Sequence, residues 1–332
     1  MGRAAGETAL AVLHYLRQTA GDVSGEWLSG QLGVSRMAIS KAVAQLRAQG
    51  YRIESATHRG YRLTGATDLP VASAVQPLLT TASLGRNWRY EPELPSTNRT
   101  AATLAGAGAP HGLVVTADAQ TQGRGRMGRS WHSPAGLNLY VSVLLRPLAA
   151  APRVPQISLV TAVALCRALQ TVCPAVPVAV KWPNDLWARN RKLAGILCEM
   201  DAEVDRVRHV IVGVGLNVNL TAAELPGDLA QRATSLRLET GGTVSRPEVL
   251  AAFLNAFEPA LDQWLRADDL GPFLAELEQR SVLAGQRILV DAGSRTIAGT
   301  AVGIAPDGRL RLRSEGGPEV LISSGDAHIL AV

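Results

Sequence analysis

Three arginines and three glycines lie within one stretch of nine residues in the first half of the chain. Residues 123–131 read GRGRMGRSW, and none of them is acidic. Glycine lets the backbone approach a ligand closely, while arginine stays charged and matches phosphate oxygens in pairs. The stretch therefore predicts a loop that closes over phosphate, as in nucleotide chemistry. A solvated basic turn or a non-specific nucleic-acid patch has a similar composition, and this stretch alone leaves both open.

A second basic stretch follows, in which 181–186 reads KWPNDL and 191–199 reads RKLAGILCE. The apolar residues on either side predict two strands joined by a turn at Pro-Asn-Asp. A hairpin of this kind would hold Lys181 and Lys192 close together at one rim. Two lysines near an arginine loop repel one another, so the arrangement favours an anion such as a polyphosphate or an acyl phosphate.

Three further motifs accompany these stretches. Residues 94–98 read LPSTN, Gln120 stands three residues before Gly123, and 213–219 reads GVGLNVN. In type and order, GRGRxGRxW, KWPND, RKLAG and these motifs resemble the biotin protein ligases, over residues 94–219. The chain has no Walker A, GxSxG or HExxH motif, and no third glycine completes a dinucleotide fingerprint in the last motif.

The resemblance implies a reaction in two steps. The carboxylate of biotin attacks the α-phosphate of ATP, with Mg²⁺ present, and gives biotinyl-5′-AMP. A lysine of the biotin carboxyl carrier protein of acetyl-CoA carboxylase then attacks this mixed anhydride. The enzyme needs no nucleophile of its own for either step. Its contribution is to hold two anions together and to stabilise the charge that develops on phosphorus.

The resemblance also implies which residues act. Biotin would contact Ser96, Thr97, Asn98, Gln120, Arg124, Gly125, Arg126 and Lys192. The catalytic cations would be Arg124, Arg126, Lys181 and Lys192. ATP and the adenylate would contact Gly123, Arg129, Trp131, Asn184, Asp185, Gly195, Gly213 and Asn217. No metal site made by protein side chains alone is expected, because Mg²⁺ would be held through ATP, with Asn184 or Asp185 as the candidate protein ligand.

Within these sets, each side chain has an expected partner on the ligand. Ser96, Thr97 and Gln120 would bond the ureido head of biotin, since hydroxyl and amide groups suit a neutral polar ring. The arginines of the loop and Lys192 would contact the biotin carboxylate and the phosphates. Trp131 would close on the adenine by stacking.

The positive charge of the chain is concentrated near its N-terminus. Residues 35–62 hold six cations against one anion, a net +5 that equals the net charge of the whole protein. Helical spacing of apolar residues around this region predicts three short helices, with a turn at Gly33 and an N-cap at Ser35. The pattern is typical of a helix-turn-helix.

A small hairpin is predicted directly after the third helix. Apolar and polar residues alternate over 51–63, with a turn at 57–60, which is the arrangement of a wing. The residues expected to contact DNA are Ser35, Arg36, Ser40, Lys41, Arg47 and Arg59. A winged helix used only for packing or for protein contacts is the alternative.

The whole pattern predicts an α+β protein of several domains. A winged helix-turn-helix would occupy 1–65, a linker 66–80, a mixed-sheet catalytic domain 81–278 and short regular strands 279–332. In the family resembled, the last segment is an SH3-like barrel. The chain of 332 residues, 47% hydrophobic, is long enough for two or three such cores.

Composition excludes several other classes of protein. No apolar run is long enough to cross a membrane and the N-terminus lacks a signal-peptide pattern, so we expect a cytoplasmic protein without a membrane partner. Cys166, Cys173 and Cys198 have no CxxC spacing, which excludes a disulfide scaffold and a zinc site of that type.

We expect a bifunctional protein, in which the adenylate-bound ligase also represses biotin-synthesis genes as a homodimer on operator DNA. Met127 departs from the family, which often has a further arginine there, and this puts any subunit contact of that side chain in doubt. Three alternatives stay open. They are a ligase whose winged helix does not bind DNA, a lipoate ligase of the same fold, and a sensor that binds biotin without transfer.

Overall fold

The computed structural model describes residues 5–56, 59–146, 149–203, 206–227, 229–293, 295–314 and 317–330. The chain forms two compact units, Met1–Pro77 and Leu78–Val332. Of the predicted wing turn, Thr57 and His58 lie outside the described residues.

The first unit is a helix-turn-helix followed by a two-stranded hairpin. Its elements are α1 (Ala5–Gln18), α2 (Gly25–Leu32), α3 (Arg36–Ala48), β1 (Arg52–Ala56), β2 (Gly60–Gly65) and α4 (Ala72–Val75). Gly33 ends α2 in a left-handed conformation, with φ of 64°, and the Ser35 hydroxyl accepts a hydrogen bond from the amide of Ala38 at the start of α3. Strands β1 and β2 pair antiparallel. The predicted helix-turn-helix and its hairpin are confirmed.

A short helix forms inside the segment predicted to be a linker, residues 66–80. This helix, α4, contains Ser73, whose hydroxyl donates to Gln49 Oε1 at 2.8 Å, and Val75, which is fully buried. Four residues are too few to show a helical period, because one turn of helix spans 3.6 residues. The burial of its side chains stabilises the turn instead.

A mixed sheet of seven strands forms the centre of the second unit. The strands are β3 (Trp88–Leu94), β4 (Val114–Gln120), β5 (Leu139–Leu145), β6 (Val178–Lys181), β7 (Asp185–Ala188), β8 (Arg191–Ala202) and β9 (Val207–Leu216). Their order is β3-β4-β5-β9-β8-β7-β6, with β3 and β4 parallel and all other neighbours antiparallel. The prediction of a mixed sheet is confirmed.

Five helices accompany this sheet among the described residues. They are α5 (Thr97–Gly106), α6 (Gln156–Val172), α7 (Leu236–Thr240), α8 (Arg246–Ala267) and α9 (Leu274–Arg280). Helix α5 packs on β4, β5 and β9, while α6 packs on α8 and on β6, β7 and β8. Residues of α6 are buried along most of its length, so it supports the lysine-bearing strands from behind. No described helix has the length and apolar character needed to cross a membrane.

The predicted hairpin between Lys181 and Lys192 is wrong in one respect. A third strand, β7, lies between the two, so that β6, β7 and β8 form a meander. The second turn is made by Arg189 and Asn190, both in the left-handed region with φ of 45° and 64°. Neither is glycine, so the sequence carries only the weak signal of asparagine for this turn.

The C-terminal part of the second unit is an antiparallel sheet of five strands. They are β10 (Arg287–Asp291), β11 (Thr296–Ile304), β12 (Leu310–Arg313), β13 (Glu319–Ile322) and β14 (Asp326–Ile329), in the order β13-β12-β11-β10-β14. Four were predicted from alternating apolar residues. Strand β14 pairs with β10 and was not predicted, yet its residues reach the site described next.

Candidate active site

A pocket of about 790 Å³ lies in the second unit and gathers side chains from all the sequence motifs. The predicted site residues that line it are Ser96, Thr97, Asn98, Gln120, Arg124, Gly125, Arg126, Arg129, Trp131, Lys181, Asn184, Asp185, Lys192, Gly195, Gly213 and Asn217. Gly123 is not part of this wall. Its carbonyl accepts from the amide of Trp131 at 2.9 Å, so it shapes the base of the loop.

One part of the pocket wall, the polar floor, consists of neutral polar side chains that are bonded to one another and, through Asn98 Nδ2, to the carboxylate of Glu199 at 2.7 Å. The amide of Thr97 donates to Gln120 Oε1 at 2.9 Å, and Gln120 Nε2 donates to the Ser133 hydroxyl at 3.1 Å. Asn98 Oδ1 accepts from the Ser142 hydroxyl at 2.6 Å. These hydrogen bonds hold the side chains in fixed orientations, which favours recognition of a neutral polar ring. Ser96 is buried beside them.

The arginine loop is a tight turn whose cations are each held by a different element. Arg124 pairs with Glu199 of β8 at 3.4 Å, and Arg126 donates to Asn184 Oδ1 at 3.2 Å. Arg129 forms an ion pair with Asp326 of β14. These contacts hold the loop against the pocket. They are weak and partly exposed, so an anion of higher charge would replace them.

Two lysines complete the cationic part of the pocket, each beside an aromatic ring. Lys181 Nζ lies 4.4 Å from the ring centre of Trp187, and Lys192 Nζ lies 5.4 Å from that of Trp131. Lys192 also pairs with Asp185 Oδ1 at 2.8 Å. Burial lowers the pKa of Lys181, a shift that Asp185 opposes and Lys192 increases. An anion bound here would reverse this effect of burial.

The indole of Trp131 lies on the backbone of β8 and β9, where two glycines make room for it. A Cβ added at Gly215 would lie 2.6 Å from Trp131 Nε1, and one at Gly195 would lie 3.1 Å from Cζ3 of the same ring. A Cβ at Gly213 would lie 2.1 Å from Asn98 Oδ1. These glycines let side chains, as well as any ligand, approach the sheet closely.

Comparison with known protein families gives three matches along the chain. Residues 91–217 match the biotin/lipoate A/B protein ligase family, 8–62 match an HTH domain, and 284–329 match the biotin protein ligase C-terminal domain. The chain is 35% identical to the bifunctional ligase/repressor BirA of Bacillus subtilis, over 91% of this chain and 92% of that protein. The chain belongs to the biotin protein ligase family.

Other members of the family agree in extent. BirA of Escherichia coli is 30% identical over 88% of each chain. The biotin protein ligase from Aquifex aeolicus in complex with biotin and ATP is 30% identical, with a TM-score of 0.65 over 74% of this chain and 100% of that chain. The predicted family, fold class and enzyme class are therefore confirmed.

Met127, where the family often has arginine, points away from the pocket. Its side chain is 64% exposed at the tip of the loop, and its backbone is left-handed with φ of 55°. Met127 does not line the pocket, whereas Arg124, Arg126 and Arg129 do. The departure from the family pattern therefore leaves the cations of the pocket unchanged.

Several pocket residues of this ligase lie outside the sequence motifs. They are His132, Trp187, Asn190, Leu220, Leu225, Leu229, Gln231, Arg232, Ala233 and, from β14, Asp326, Ala327, His328 and Ile329. The segment around Ala233 reaches the site because Lys192 donates its amide to the carbonyl of Arg232 at 2.8 Å and accepts from the amide of Thr234 at 2.9 Å. Apolar residues in this segment have irregular spacing, so the only signal was its closeness to the GVGLNVN motif.

The residues predicted to contact DNA fall into two groups in the first unit. Ser40 and Lys41 are exposed on α3, and Arg36 is exposed beside them, paired with Glu26 at 2.9 Å. Ser35 caps the helix through its hydroxyl. These side chains share the solvent face of the predicted recognition helix.

The other two predicted contacts are engaged by neighbouring elements. Arg47 donates from Nε to the carbonyl of Ile53 at 2.9 Å and from Nη2 to the Ser55 hydroxyl at 2.7 Å. Arg59 Nε lies 3.6 Å from Asp22 Oδ2, with its side chain 71% exposed. Arg47 thus braces the wing against α3, while Arg59 stays accessible at the tip of the wing.

Proposed function

We propose that this protein joins biotin to ATP as biotinyl-5′-AMP and then transfers the biotinyl group to a lysine of the biotin carboxyl carrier protein. The observation that carries the proposal is the division of one pocket into a neutral polar floor and a cluster of cations. The first suits the ureido ring of biotin, and the second suits a carboxylate beside a triphosphate. Neither half of the reaction requires an enzyme nucleophile.

The polar floor sets the direction in which biotin binds. With the ureido ring on Ser96, Thr97 and Gln120, the valeryl chain extends along the sheet toward the arginine loop. Its carboxylate then reaches Arg124, Arg126 or Lys192, the cations of the catalytic set. Binding of this kind places the attacking oxygen before ATP arrives, which removes entropy from the reaction barrier.

In the first step a carboxylate oxygen forms a bond to the α-phosphorus, and the bond from that phosphorus to pyrophosphate breaks. Charge builds on the phosphorus oxygens, and Lys181, Lys192 and Arg126 would stabilise it. A low-dielectric pocket strengthens each of these interactions. Arg129, Asn184, Gly195, Gly213 and Asn217, with the indole of Trp131, would enclose the nucleotide.

Magnesium would enter with ATP. Among the described residues no cluster of three or more metal-ligating side chains exists, and the Asp185 carboxylate already pairs with Lys192. Mg²⁺ commonly takes one or two carboxylates with the remaining ligands from phosphate and water, so Asp185 with Asn184 fits such an ion. When bound, the ion supplies charge neutralisation of the triphosphate.

In the second step the amine of the carrier lysine attacks the carbonyl carbon of the adenylate, and AMP leaves. Lys192, which lines the pocket, would stabilise the departing phosphate. For the domains we propose the boundaries 1–65 for the winged helix-turn-helix, 66–80 for the linker, 81–278 for the catalytic domain and 279–332 for the C-terminal strands.

We also propose that the adenylate-bound protein represses biotin-synthesis genes through its first unit. The support is a solvent face on α3 formed by Arg36, Ser40 and Lys41, together with Arg59 on the wing. A homodimer would present two such faces to a two-fold symmetric operator. Ordering of the arginine loop by the adenylate is the step that would promote assembly.

The test of the ligase is transfer of labelled biotin to a carrier domain with ATP and Mg²⁺, with lipoate as the competing acid. We expect biotin-dependent pyrophosphate release and label on the carrier. Release with lipoate alone would replace this proposal with a lipoate ligase, and biotin binding without release would replace it with a sensor.

Two lysine variants separate the two proposed activities. Lys192→Ala removes a cation of the pocket and should abolish adenylation without unfolding the protein, because this side chain is partly exposed. Lys41→Ala lies on α3 and should leave adenylation unchanged while weakening binding to DNA. Wild-type turnover by Lys192→Ala would refute the site assignment, and DNA binding equal to wild type by Lys41→Ala would refute the assignment of the recognition face.

A further inference from the structure

Arg246 is a buried cation that belongs to none of the sequence motifs and does not line the pocket. It is the first residue of α8, and its side chain is 2% exposed. The N-terminus of a helix carries partial positive charge, so a cation there is unfavourable unless an anion compensates it. Asp118 of β4 does so, with Oδ1 at 2.7 Å from Arg246 Nη1.

The same guanidinium also bonds to the main chain next to the pocket. Arg246 Nη1 donates to the carbonyl of Asn138 at 3.2 Å. Asn138 is fully buried, and its side-chain Oδ1 accepts from the amide of Val218 at 3.0 Å. Arg246 therefore fixes the position of Asn138, and Asn138 fixes the amide of Val218, in the turn between Asn217 and Asn219.

That turn connects to both the nucleotide end of the pocket and Lys192. Asn217 Nδ2 donates to the carbonyl of Thr234 at 2.9 Å, and the amide of Thr234 donates to the carbonyl of Lys192 at 2.9 Å. Asn219 is tied to Val244, close before α8, by two hydrogen bonds of 2.9 Å. A displacement of Val218 would move all of these groups together.

We infer that Arg246 is a positioning residue, which fixes the Asn217 turn through Asn138 and so aligns Asn217 and Lys192 for the nucleotide. The inference rests on the proposed ligase function. A buried ion pair is not needed for stability alone, since apolar side chains of similar volume fill such a space equally well or better. Arg246 Nη1 donates both to the carboxylate of Asp118 and to the carbonyl of Asn138, and the rigid plane of the guanidinium fixes the direction of these bonds.

The effect should fall mainly on ATP. The polar floor is bonded through Thr97, Gln120 and Ser133, none of which depends on Asn138. Loss of Arg246 should therefore raise the KM for ATP more than the KM for biotin, because Asn217 belongs to the nucleotide set alone whereas Lys192 would contact both ligands. A residue needed only for general stability would affect both substrates together.

The test uses the full-length double variant Asp118→Asn with Arg246→Met, which removes both charges and leaves no lone buried ion. We expect a fall of roughly 10- to 100-fold in kcat/KM for ATP, the range associated with misplacement of reacting groups by about 1 Å. Arg246→Lys should restore thermal stability more completely than kcat/KM for ATP, since the flexible ammonium of lysine keeps the charge but does not hold its donors in a fixed plane. Arg167→Met is the control, because Nε and Nη2 of Arg167 both donate to Glu276 Oε2 and Arg167 does not line the pocket.

Amide hydrogen exchange supplies a readout that does not depend on activity. In the double variant the amides of Val218 and Leu236 should exchange faster, while those of Thr97 and Gln120 should not. Unchanged exchange at Val218 in a folded double variant, or an unchanged KM and kcat with ATP, overturns the inference. Equal loss with both substrates, matched by Arg167→Met, overturns it as well. Absence of turnover by the wild type would instead refute the proposed function, and the exchange measurement would still decide the role of Arg246.

Discussion

Single glycines in this protein are explained by what lies above them. Gly213 and Gly215 of β9 face Asn98 and the ring of Trp131, at distances that exclude even a methyl group. Neither has the left-handed backbone that usually requires glycine. Their role is to let the polar floor and the indole lie directly on the sheet, so the shape of the pocket depends on residues with no functional group.

The first prediction at this scale concerns Gly215→Ala. The added methyl group would meet the Trp131 indole at 2.6 Å, and the ring would have to move off the sheet. We expect a loss of about 1–3 kcal/mol in the free energy of unfolding from overpacking. Activity with ATP should fall at least tenfold, a barrier increase of about 1.4 kcal/mol. Denaturant titration and pyrophosphate release measure the two effects. Gly242→Ala, at a site with open space around it, is the control and should change neither.

Lys181 carries the second prediction, which concerns pH. Burial lowers its pKa, so the side chain loses its proton at a lower pH than an exposed lysine. The KM for ATP should therefore begin to rise with pH earlier in the wild type than in Lys181→Arg, whose guanidinium stays charged. Lys41→Arg, at an exposed lysine, should leave the profile unchanged. Identical profiles for wild type and Lys181→Arg would remove Lys181 from the phosphate site.

The same shift has a consequence for stability, with a definite sign. Between the lowered pKa of the folded state and the ordinary value, the unfolded chain binds more protons at Lys181. The free energy of unfolding of the ligand-free protein should therefore increase with pH through this window. Lys181→Met should lack this contribution, and denaturant titration at several pH values would measure it.

In the first unit, a single side chain, Arg47, joins helix α3 to strand β1. The two hydrogen bonds of Arg47 connect the C-terminal end of the helix to Ile53 and Ser55 of the strand. The orientation of the wing therefore depends on Arg47, which was predicted from the sequence to contact DNA. Both roles would weaken DNA binding when Arg47 is lost, but they differ in their dependence on salt.

The prediction at this scale compares Arg47→Met with Lys41→Ala. A lysine that contacts phosphate contributes about one unit to the slope of log affinity against log salt concentration, and Lys41→Ala should reduce the slope by that amount. Arg47→Met should weaken binding to random-sequence duplex DNA while keeping the wild-type slope. A slope reduced as in Lys41→Ala would restore Arg47 as a direct phosphate contact.

At the scale of the whole molecule, the two proposed activities belong to different compact units. All residues that line the pocket lie within Leu78–Val332, and the exposed cations of α3 lie within Met1–Pro77. The C-terminal sheet cannot be separated in the same way, because β14 supplies Asp326 to the pocket wall. Ligation should therefore need the sheet but not the helix-turn-helix.

Two truncations test this prediction. Removal of residues 1–77 should preserve pyrophosphate release with biotin and abolish DNA binding. Removal of residues 284–332 should reduce release, because Arg129 loses its partner Asp326 and one wall of the pocket is lost. Circular dichroism would establish that each truncated chain is folded. Release unaffected by the second truncation would contradict a role of β14 in the site.

Local sequence patterns were sufficient to predict the family, the chemistry and the elements in which apolar residues recur with a clear period. Arginine forks, paired lysines and glycines keep their chemical meaning wherever the chain places them, so the motifs predicted most of the pocket wall. The helix-turn-helix was equally accessible, since capping serine, turn glycine and apolar spacing are all local signals. The strands β10 to β13, which have four to nine residues each, were predicted from the short apolar patterns of the C-terminal segment.

Contacts between groups that lie far apart in the chain were found only in the tertiary structure. Asp326 reaches the arginine loop, Arg232 lies beside Lys192, and Arg246 joins Asp118, although no local pattern marks any of these pairs. The third strand between Lys181 and Lys192 was not predicted, because Arg189 and Asn190 make the turn before β8 without glycine. Such contacts follow from the pairing of strands and the packing of helices. These bring together residues whose local sequences contain no pattern that predicts the contact.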